Sequence, residues 1–196
     1  MKTVNLIREN GQVRVQTTYN SEFVKRAKDL GGKWDANSKS WIFSESVIEY
    51  VKNLLLEIYG VTGENDYETC TLVVKNKDKG GDDSIELFGR TILRAFGRKS
   101  EIQLGEDIIW ISGVKKTTGS EKNWGVIIVN GTFEIKNFPI ERTKFNDVQK
   151  AIQEGWCEIK VTETITETKR SREEILAEIS ALEEKLANLK AELNNL

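Results

Sequence analysis

The sequence predicts an α+β protein with three segments, and three patterns indicate this fold class. An Asn-Gly pair at residues 10–11 lies between two β-prone runs, which is the strongest short-range signal for a hairpin. Short runs of alternating apolar residues, separated by turn residues, continue far along the chain. The end of the chain carries instead an apolar repeat with helical spacing. We expect an N-terminal ββαββα domain at 1–60, a linker at 61–68, a small, mostly-β, barrel-like domain at 69–168, and a C-terminal coiled-coil oligomerisation helix at 171–196.

The first predicted hairpin leads into a helix with clear ends. Residues 4–7 and 13–17 are its strands, joined by the Asn-Gly turn. Asn20 is a typical N-cap, because its side chain can accept a hydrogen bond from a free N–H of the first helical turn. A Gly-Gly pair at 31–32 ends the helix.

A second hairpin and helix complete this segment. Residues 33–34 and 41–43 are the strands, and a polar turn separates them. Ser44 caps a helix whose broad apolar stripe stops at Gly60. Residues 61–68 are rich in glycine, threonine, asparagine and acidic side chains, which is typical of a linker.

The middle segment contains short strands and little helix. A second Asn-Gly pair at 130–131 predicts another tight hairpin turn, and residues 77–83 and 115–123 have the composition of exposed loops. A short helix ends at Gly155, and a final strand begins at Cys157. This spacing is typical of a small barrel or half-barrel of the SH3 or OB type. The other strand candidates are residues 69–74, 84–88, 102–104, 108–112, 124–129 and 132–136.

The C-terminal segment carries a heptad repeat. Its apolar residues recur at alternating steps of four and three, and no glycine or proline interrupts them. Such a seam is typical of a coiled coil, and a lone helix of this length is marginal in water. We therefore expect self-association into a homo-oligomer; the alternative is that the helix folds back on the β domain of its own chain. The seam residues are Ile175, Ile179, Leu182, Leu186, Leu189, Leu193 and Leu196.

Composition argues against several classes of protein. The chain has no histidine, which removes the commonest general base and the commonest transition-metal ligand. We therefore predict a non-enzymatic protein that needs no metal and no other cofactor. No apolar run approaches the roughly 18 residues that a membrane span needs, and the chain does not open with a signal-peptide pattern. We expect a cytoplasmic protein without a membrane partner.

Charge and cysteine usage add two expectations. The net charge is −2, but residues 1–60 carry nine basic and seven acidic side chains, whereas residues 171–196 carry three and six. The acidic tail therefore masks a mildly basic head. Cys70 and Cys157 lie in strand-like alternations and no targeting signal accompanies them, so we expect two buried reduced thiols rather than a disulfide.

The most distinctive motif is Gly-Gly-Lys-Trp-Asp at residues 31–35, followed by Lys-x-Trp-x-Phe at residues 39–43. This pattern resembles the small HARP-like domain found in annealing helicases and in phage and plasmid proteins. The resemblance covers about residues 1–60 and implies a contact with nucleic acid or with proteins that handle it. A helicase motor is not part of it, because the chain has no Gly-x-x-x-x-Gly-Lys-Ser/Thr phosphate loop.

Basic residues and two tryptophans around this motif are candidate nucleic-acid contacts. Cations that neutralise phosphates, together with rings that stack on bases, are typical of single-strand or branched-DNA binding. The alternative is a cross-strand core pair of tryptophans with lysines that only solvate the helix. We favour the core for the rings, because a large aromatic is rarely left fully exposed, and keep the phosphate role for the cations. The candidates are Lys25, Arg26, Lys28, Lys33, Trp34, Lys39 and Trp41.

A second basic cluster lies within residues 88–99, which contain four positive charges and no acid. Guanidinium groups suit phosphate or another polyanion, whether the segment is helical or extended. The alternative, which we weight equally, is pairing with the nearby residues Glu86, Glu101 and Glu106. The candidates are Arg90, Arg94, Arg98 and Lys99.

Together these patterns favour an oligomeric binding protein whose ligand is DNA or RNA, acting as an accessory protein of a phage or mobile element. The alternative is a protein-interaction inhibitor or anti-defence protein that sequesters a host protein. A nucleotide sponge belongs to this second class, with Arg90, Arg94 and Arg98 as the nucleotide-binding cluster.

Overall fold

The computed structural model describes residues 3–160, and this part of the chain is mostly β, with 48% strand and 23% helix. The α+β class predicted from the sequence is therefore wrong. Two predicted loops belong instead to long strands, because β5 (Thr69–Gly81) and β9 (Ile108–Gly119) extend through most of their residues. The coiled coil predicted at residues 171–196 lies outside the described residues, and self-association stays a prediction.

Four antiparallel strands form the N-terminal sheet: β1 (Val4–Glu9), β2 (Gln12–Thr17), β3 (Lys33–Asp35) and β4 (Ser40–Ser44). Their order is β1-β2-β4-β3, so that β1 and β3 are the edges. Asn10 and Gly11 have φ of 53° and 74°, as a type I′ hairpin turn requires. Two helices, α1 (Ser21–Asp29) and α2 (Ile48–Tyr59), share one core with the sheet.

Local capping explains where these helices begin and end. The Asn20 side chain accepts a hydrogen bond from the Phe23 N–H at 2.7 Å and starts α1. Ser44 caps the short 3-10 turn Glu45–Val47, which leads directly into α2. Gly60, with φ of 76°, ends α2 in the left-handed conformation that favours glycine.

The remaining strands are β6 (Ser84–Leu87), β7 (Arg90–Arg94), β8 (Gln103–Leu104), β10 (Trp124–Pro139) and β11 (Cys157–Lys160). With β5 and β9 they form two antiparallel sheets over a second core, in the orders β11-β5-β10-β9 and β6-β7-β8. Two short helices, α3 (Ile140–Thr143) and α4 (Asn146–Gln153), connect β10 with β11. The spacing of these strands predicted a small barrel or half-barrel, and among residues 3–160 they form two separate sheets over the second core.

The prediction of a hairpin turn at Asn130-Gly131 is wrong, because both residues lie inside the continuous strand β10. The register against β5 shifts between Ile128 and Gly131, which is the signature of a β-bulge. Asn130 takes a φ of 48° there, and a Cβ on Gly131 would lie 2.2 Å from the Ile128 side chain. The Asn-Gly pair therefore supplies the left-handed residue and the missing side chain that a bulge needs.

Residues 61–68 pack along β1. The Leu6 N–H donates to the Gly63 carbonyl at 3.1 Å, and the Val4 N–H donates to the Tyr67 hydroxyl at 2.7 Å. The described residues lie in one compact unit with two hydrophobic cores. The segment predicted as a linker is therefore held against the N-terminal sheet.

Arg142 of α3 joins the two cores. Its Nε donates to the Ile58 carbonyl of α2 at 3.0 Å, and its two terminal nitrogens bind the carboxylate of Asp147 at 2.7 Å each. The bidentate pair fixes α3 against the start of α4 while satisfying a carbonyl at the end of α2.

Cys70 and Cys157 are buried and free, as the sequence predicted. Burial raises the pKa of both thiols to about 11. None of the helices among residues 3–160 has the length and apolar character needed to cross a membrane.

Candidate functional site

A groove of about 420 Å³ opens at one end of the N-terminal sheet. Its walls are the end of β2 with the following residues 17–20, the β3-β4 turn, Val24 of α1, and the pair Glu106 and Asp107 that precedes β9. We call this space the aromatic groove, because Trp34, Trp41 and Tyr19 line it.

Trp34 and Trp41 face each other across β3 and β4, with ring centres 5.7 Å apart. Trp41 is 6% exposed and packs edge-on against Phe23 in the core. Trp34 is 52% exposed, because it lies on the three-residue edge strand β3. The prediction that both tryptophans belong to the core therefore holds for Trp41, whereas the ring of Trp34 is half-exposed at the groove.

The turn that carries this edge is held by local hydrogen bonds. The Asp35 carboxylate accepts from the Ser38 hydroxyl at 2.5 Å and from the Asn37 N–H at 3.1 Å, which lowers the pKa of Asp35. Gln16 of β2 donates to the Ser38 carbonyl at 3.0 Å. Lys39 lines the groove with a φ of 48°, so the fixed turn places one cation beside Trp34.

Tyr19 and Arg94 extend the aromatic surface beyond the groove. Tyr19 is 45% exposed, and the Arg94 guanidinium lies 4.8 Å from its ring centre. The same guanidinium lies 4.2 Å from the ring of Phe96, which is 63% exposed. Trp34 and Tyr19 thus share the groove, and the stacked Arg94 links Tyr19 with Phe96. Aromatic rings and arginine together are typical of surfaces that bind unpaired bases.

A smaller space of about 120 Å³ adjoins the groove, and we call it the inner cavity. Thr18, Tyr19 and Glu106 line both spaces, while Arg90 and Arg94 line only the inner cavity. Both predicted basic clusters therefore contribute a side chain to one neighbourhood, Lys39 from the first and Arg94 from the second.

Arg90 is not available as a surface contact, because it is 2% exposed. Its Nη2 donates to the Thr3 hydroxyl at 2.8 Å, to the Asn137 carbonyl at 3.2 Å and to the Lys136 carbonyl at 3.3 Å. Burial lowers the pKa of Arg90, and the carboxylate of Asp107, 4.0 Å away, opposes that shift. Arg90 was predicted to contact a polyanion or to pair with nearby glutamates, and instead it is buried and fixes the start of β7 from inside.

The basic residues of α1 and β3 do not all face the groove. Arg26 pairs with Glu57 at 2.8 Å. Lys28 is exposed one turn beyond the groove residue Val24, and therefore lies on the same side of α1. Lys25 is exposed next to that face.

Alternation along β3 places Lys33 on the opposite face of the sheet from Trp34. Of the predicted cations of this cluster, Lys39 is the one that lines the groove.

Arg90 and Arg94 of the second cluster both line the inner cavity, but Arg98 does not join them. The segment is a strand, and Arg98 beyond it donates to the Gly119 carbonyl and the Thr117 hydroxyl at 2.9 Å each. Lys99 is 84% exposed and pairs with Glu121 at 3.0 Å. The nucleotide-sponge cluster predicted from Arg90, Arg94 and Arg98 is therefore not assembled.

Tyr19, Thr18 and Phe96 are site residues that sequence reasoning did not single out. Tyr19 meets Arg94 only through the tertiary fold, so no spacing in the sequence could have linked them. The one available signal was an aromatic residue in a polar stretch just before a helix cap.

Within residues 3–160, no group of three or more cysteine, aspartate or glutamate side chains is arranged to hold a metal ion. Comparison of the chain with protein-family models, with curated proteins and with solved structures found no match. The resemblance to HARP-like domains therefore stays a prediction.

Proposed function

We propose that this protein binds single-stranded nucleic acid in the aromatic groove. Bases stack on Trp34 and Tyr19, and the sugar-phosphate backbone passes Lys39 and Arg94. The observation that carries the proposal is the half-exposed Trp34 at the rim of a groove that also presents Tyr19 and a lysine.

A single exposed ring is normal on a protein surface, whereas several exposed rings close together are typical of a site that meets a ligand or partner. Trp34, Tyr19 and Phe96 are 45–63% exposed and lie in one neighbourhood. Every base has an aromatic face, so such a group of rings suits unpaired bases with little sequence preference. A duplex keeps its bases stacked inside, which is why the proposal is limited to single strands and unpaired ends.

The size and polarity of the groove fit the same ligand. Its volume of about 420 Å³ lies in the range of small-molecule pockets, which suits individual nucleotides. Gln16, Asn20, Asn37 and Ser38 line it beside the rings and bring polar groups of the kind that bind base edges. The groove therefore combines a stacking surface with hydrogen-bonding partners.

The charge of the site sets the expected affinity. Lys39 lines the groove, Arg94 lines the adjoining inner cavity, and Lys28 is exposed one turn along α1 from Val24, whereas Glu106 and Asp107 also line the groove. Because the protein as a whole carries a charge of −2, no long-range attraction helps the encounter. We expect weak to moderate binding in which stacking contributes more than charge.

The proposal is tested by fluorescence anisotropy of a labelled 15-nucleotide thymidine strand and of the matching duplex, at two salt concentrations. We expect the single strand to bind at least tenfold more tightly than the duplex. Three phosphate contacts predict a slope of about −2 for log affinity against log salt, from a single-strand factor of about 0.7 per contact. Absence of binding at low salt, or preference for duplex, would contradict the proposal.

A second candidate function, capture of a protein partner, is favoured by one other feature. β9 is an edge strand, and its Ile109, Ile111 and Val114 are 48–54% exposed. Exposed apolar edges of this kind accept an added strand from a partner. Loss of a stoichiometric partner on Ile111→Lys, but not on Trp34→Ala, would support this second function.

A further inference from the structure

The strand β9 (Ile108–Gly119) forms one edge of its sheet. It comes last in the order β11-β5-β10-β9, and no strand of residues 3–160 pairs with its outer side. The backbone N–H and C=O groups on that side can therefore pair with an added strand. Native proteins keep exposed edges short or cover them, whereas β9 has twelve residues. A long open edge of this kind indicates a partner.

Exposed apolar side chains lie along the same edge. Ile109, Ile111 and Val114 are 48–54% exposed, and Val129, which lies opposite Val114 on β10, is 39% exposed. Ile109 and Ile111 point away from the core, because Trp110 between them packs against the core from the other face of the sheet. A single exposed apolar residue is normal, whereas four of them close together are typical of a surface that a partner covers.

The charges around β9 have opposite signs at its two ends. Glu106 and Asp107 precede the strand, and Lys115 and Lys116 lie in its second half. Asp107 already lies 4.0 Å from Arg90, so Glu106 carries the free acidic charge. Parallel pairing of two copies would bring like charges together, which is unfavourable. Antiparallel pairing brings the acidic end of each copy to the basic half of the other, so the charges of β9 are complementary to those of a second copy.

A register centred on Ile111 matches both the charges and the apolar side chains. Ile111 then lies opposite Ile111 of the second copy, and Glu106 lies opposite Lys116, since each of them is five residues from Ile111. Glu106 and Lys116 are both exposed, and neither forms an ion pair within residues 3–160. Gly113, with φ of 93°, bends β9 just beyond this centre, so the backbone pairing is short. The apolar contacts and the two symmetric ion pairs therefore contribute much of the interface.

We propose that β9 pairs antiparallel with β9 of a second copy of this chain across a two-fold axis at Ile111. Two four-stranded sheets thereby join into one sheet of eight strands. In such a contact the same patch of each copy meets its counterpart, which is the commonest symmetry of homodimers. The interface is separate from the coiled coil predicted at residues 171–196, and it does not depend on nucleic-acid binding. A second copy is preferred over a foreign strand at this edge because the charges of β9 match its own reversed sequence.

The test measures the mass of the full-length protein by sedimentation equilibrium at several concentrations. Ile111→Lys places like charges opposite each other at the axis, and Lys116→Glu places an acid opposite Glu106. We expect each change to raise the dissociation constant of the edge dimer by about tenfold. The double variant Glu106→Lys with Lys116→Glu again has opposite charges in register, so the dimer is restored.

Two control variants have the same chemistry away from the edge. Leu56→Lys adds a charge at an apolar residue of α2 that is 43% exposed, and Lys122→Glu reverses an exposed charge beyond the end of β9. Both should keep the mass of the natural protein. If the coiled coil also forms, Ile111→Lys still has the smaller mass, because it loses only the edge contact. Equal masses of the natural protein and Ile111→Lys would overturn the proposal, as would a double charge variant that stays dissociated.

Discussion

Replacement of Arg90 by methionine tests whether the buried guanidinium holds the fold. Methionine has a similar length and no charge, so the change removes the hydrogen bonds to the Thr3 hydroxyl and to the carbonyls of Lys136 and Asn137. It also leaves Asp107 without its nearest cation. The hydroxyl of Thr3 keeps its own bond to the Asn137 carbonyl at 2.5 Å, and part of the network survives.

The expected loss of unfolding free energy follows from these contacts. A hydrogen bond to a charged group contributes about 1.5–3 kcal/mol, but the three bonds share one nitrogen and do not add. Methionine also removes two buried nitrogens, Nε and Nη1, that have no hydrogen-bond partner, which offsets part of the loss. We expect a decrease of about 2–3 kcal/mol, a large fraction of the stability of an ordinary domain.

Urea unfolding followed by tryptophan fluorescence measures this decrease, with Arg98→Met as the matched control. Arg98 is only partly buried, and its two hydrogen bonds tie a surface loop to β9, so its replacement is expected to lower stability by about 1 kcal/mol. A loss of less than 0.5 kcal/mol for Arg90→Met, or a larger loss for Arg98→Met than for Arg90→Met, would contradict a structural role of the buried guanidinium.

Two further predictions concern the β region. Asp147→Asn should lower stability by about 1–2 kcal/mol at pH 7, because a partly exposed bidentate pair with buried Arg142 is lost. Burial raises the pKa of Asp147, but hydrogen bonds from Arg142 outweigh it and the net shift is downward. The pair therefore stabilises above the ordinary carboxyl pKa, and the difference between natural and variant protein should shrink as the pH falls below about 4, measured by urea unfolding at several pH values. Cys70 and Cys157 should react with a thiol reagent at pH 8 only as the protein unfolds, since burial raises the pKa of each to about 11; rapid labelling of the native protein would contradict their burial.

The N-terminal half was the part that local signals could predict. Asn-Gly turns, the Asn20 cap and the terminal Gly60 act on neighbouring residues, so their effect is visible in the sequence. Among residues 69–160, signals of the same local kind led to wrong predictions of a turn and of loops. The Asn-Gly pair at 130–131 forms a bulge because β5 and β9 flank β10 on both sides, and polar residues of the long strands resemble loops because they face solvent.

The candidate site could be predicted only in part, for a similar reason. The tryptophan motif identified the edge that carries Trp34, because rare aromatics at fixed spacing stand out. Which of two tryptophans is buried depends on the cover that α1 provides, and whether Arg90 is buried depends on Thr3 and Asn137, far from it in sequence. Burial depends on the tertiary structure, and the residues next to an arginine in the sequence do not indicate whether it is buried.

Stacking on Trp34 is measured most directly by the affinity of the natural protein and two aromatic variants for a labelled thymidine 15-mer at low salt. Loss of one stacking ring is worth about 1–3 kcal/mol, so Trp34→Ala should weaken binding by roughly 5- to 150-fold. Tyr50→Ala is the matched control, because Tyr50 is 65% exposed on α2 and does not line the groove. We predict unchanged affinity for Tyr50→Ala together with the large loss for Trp34→Ala. Equal affinity of both variants and the natural protein would contradict the aromatic groove as the binding site.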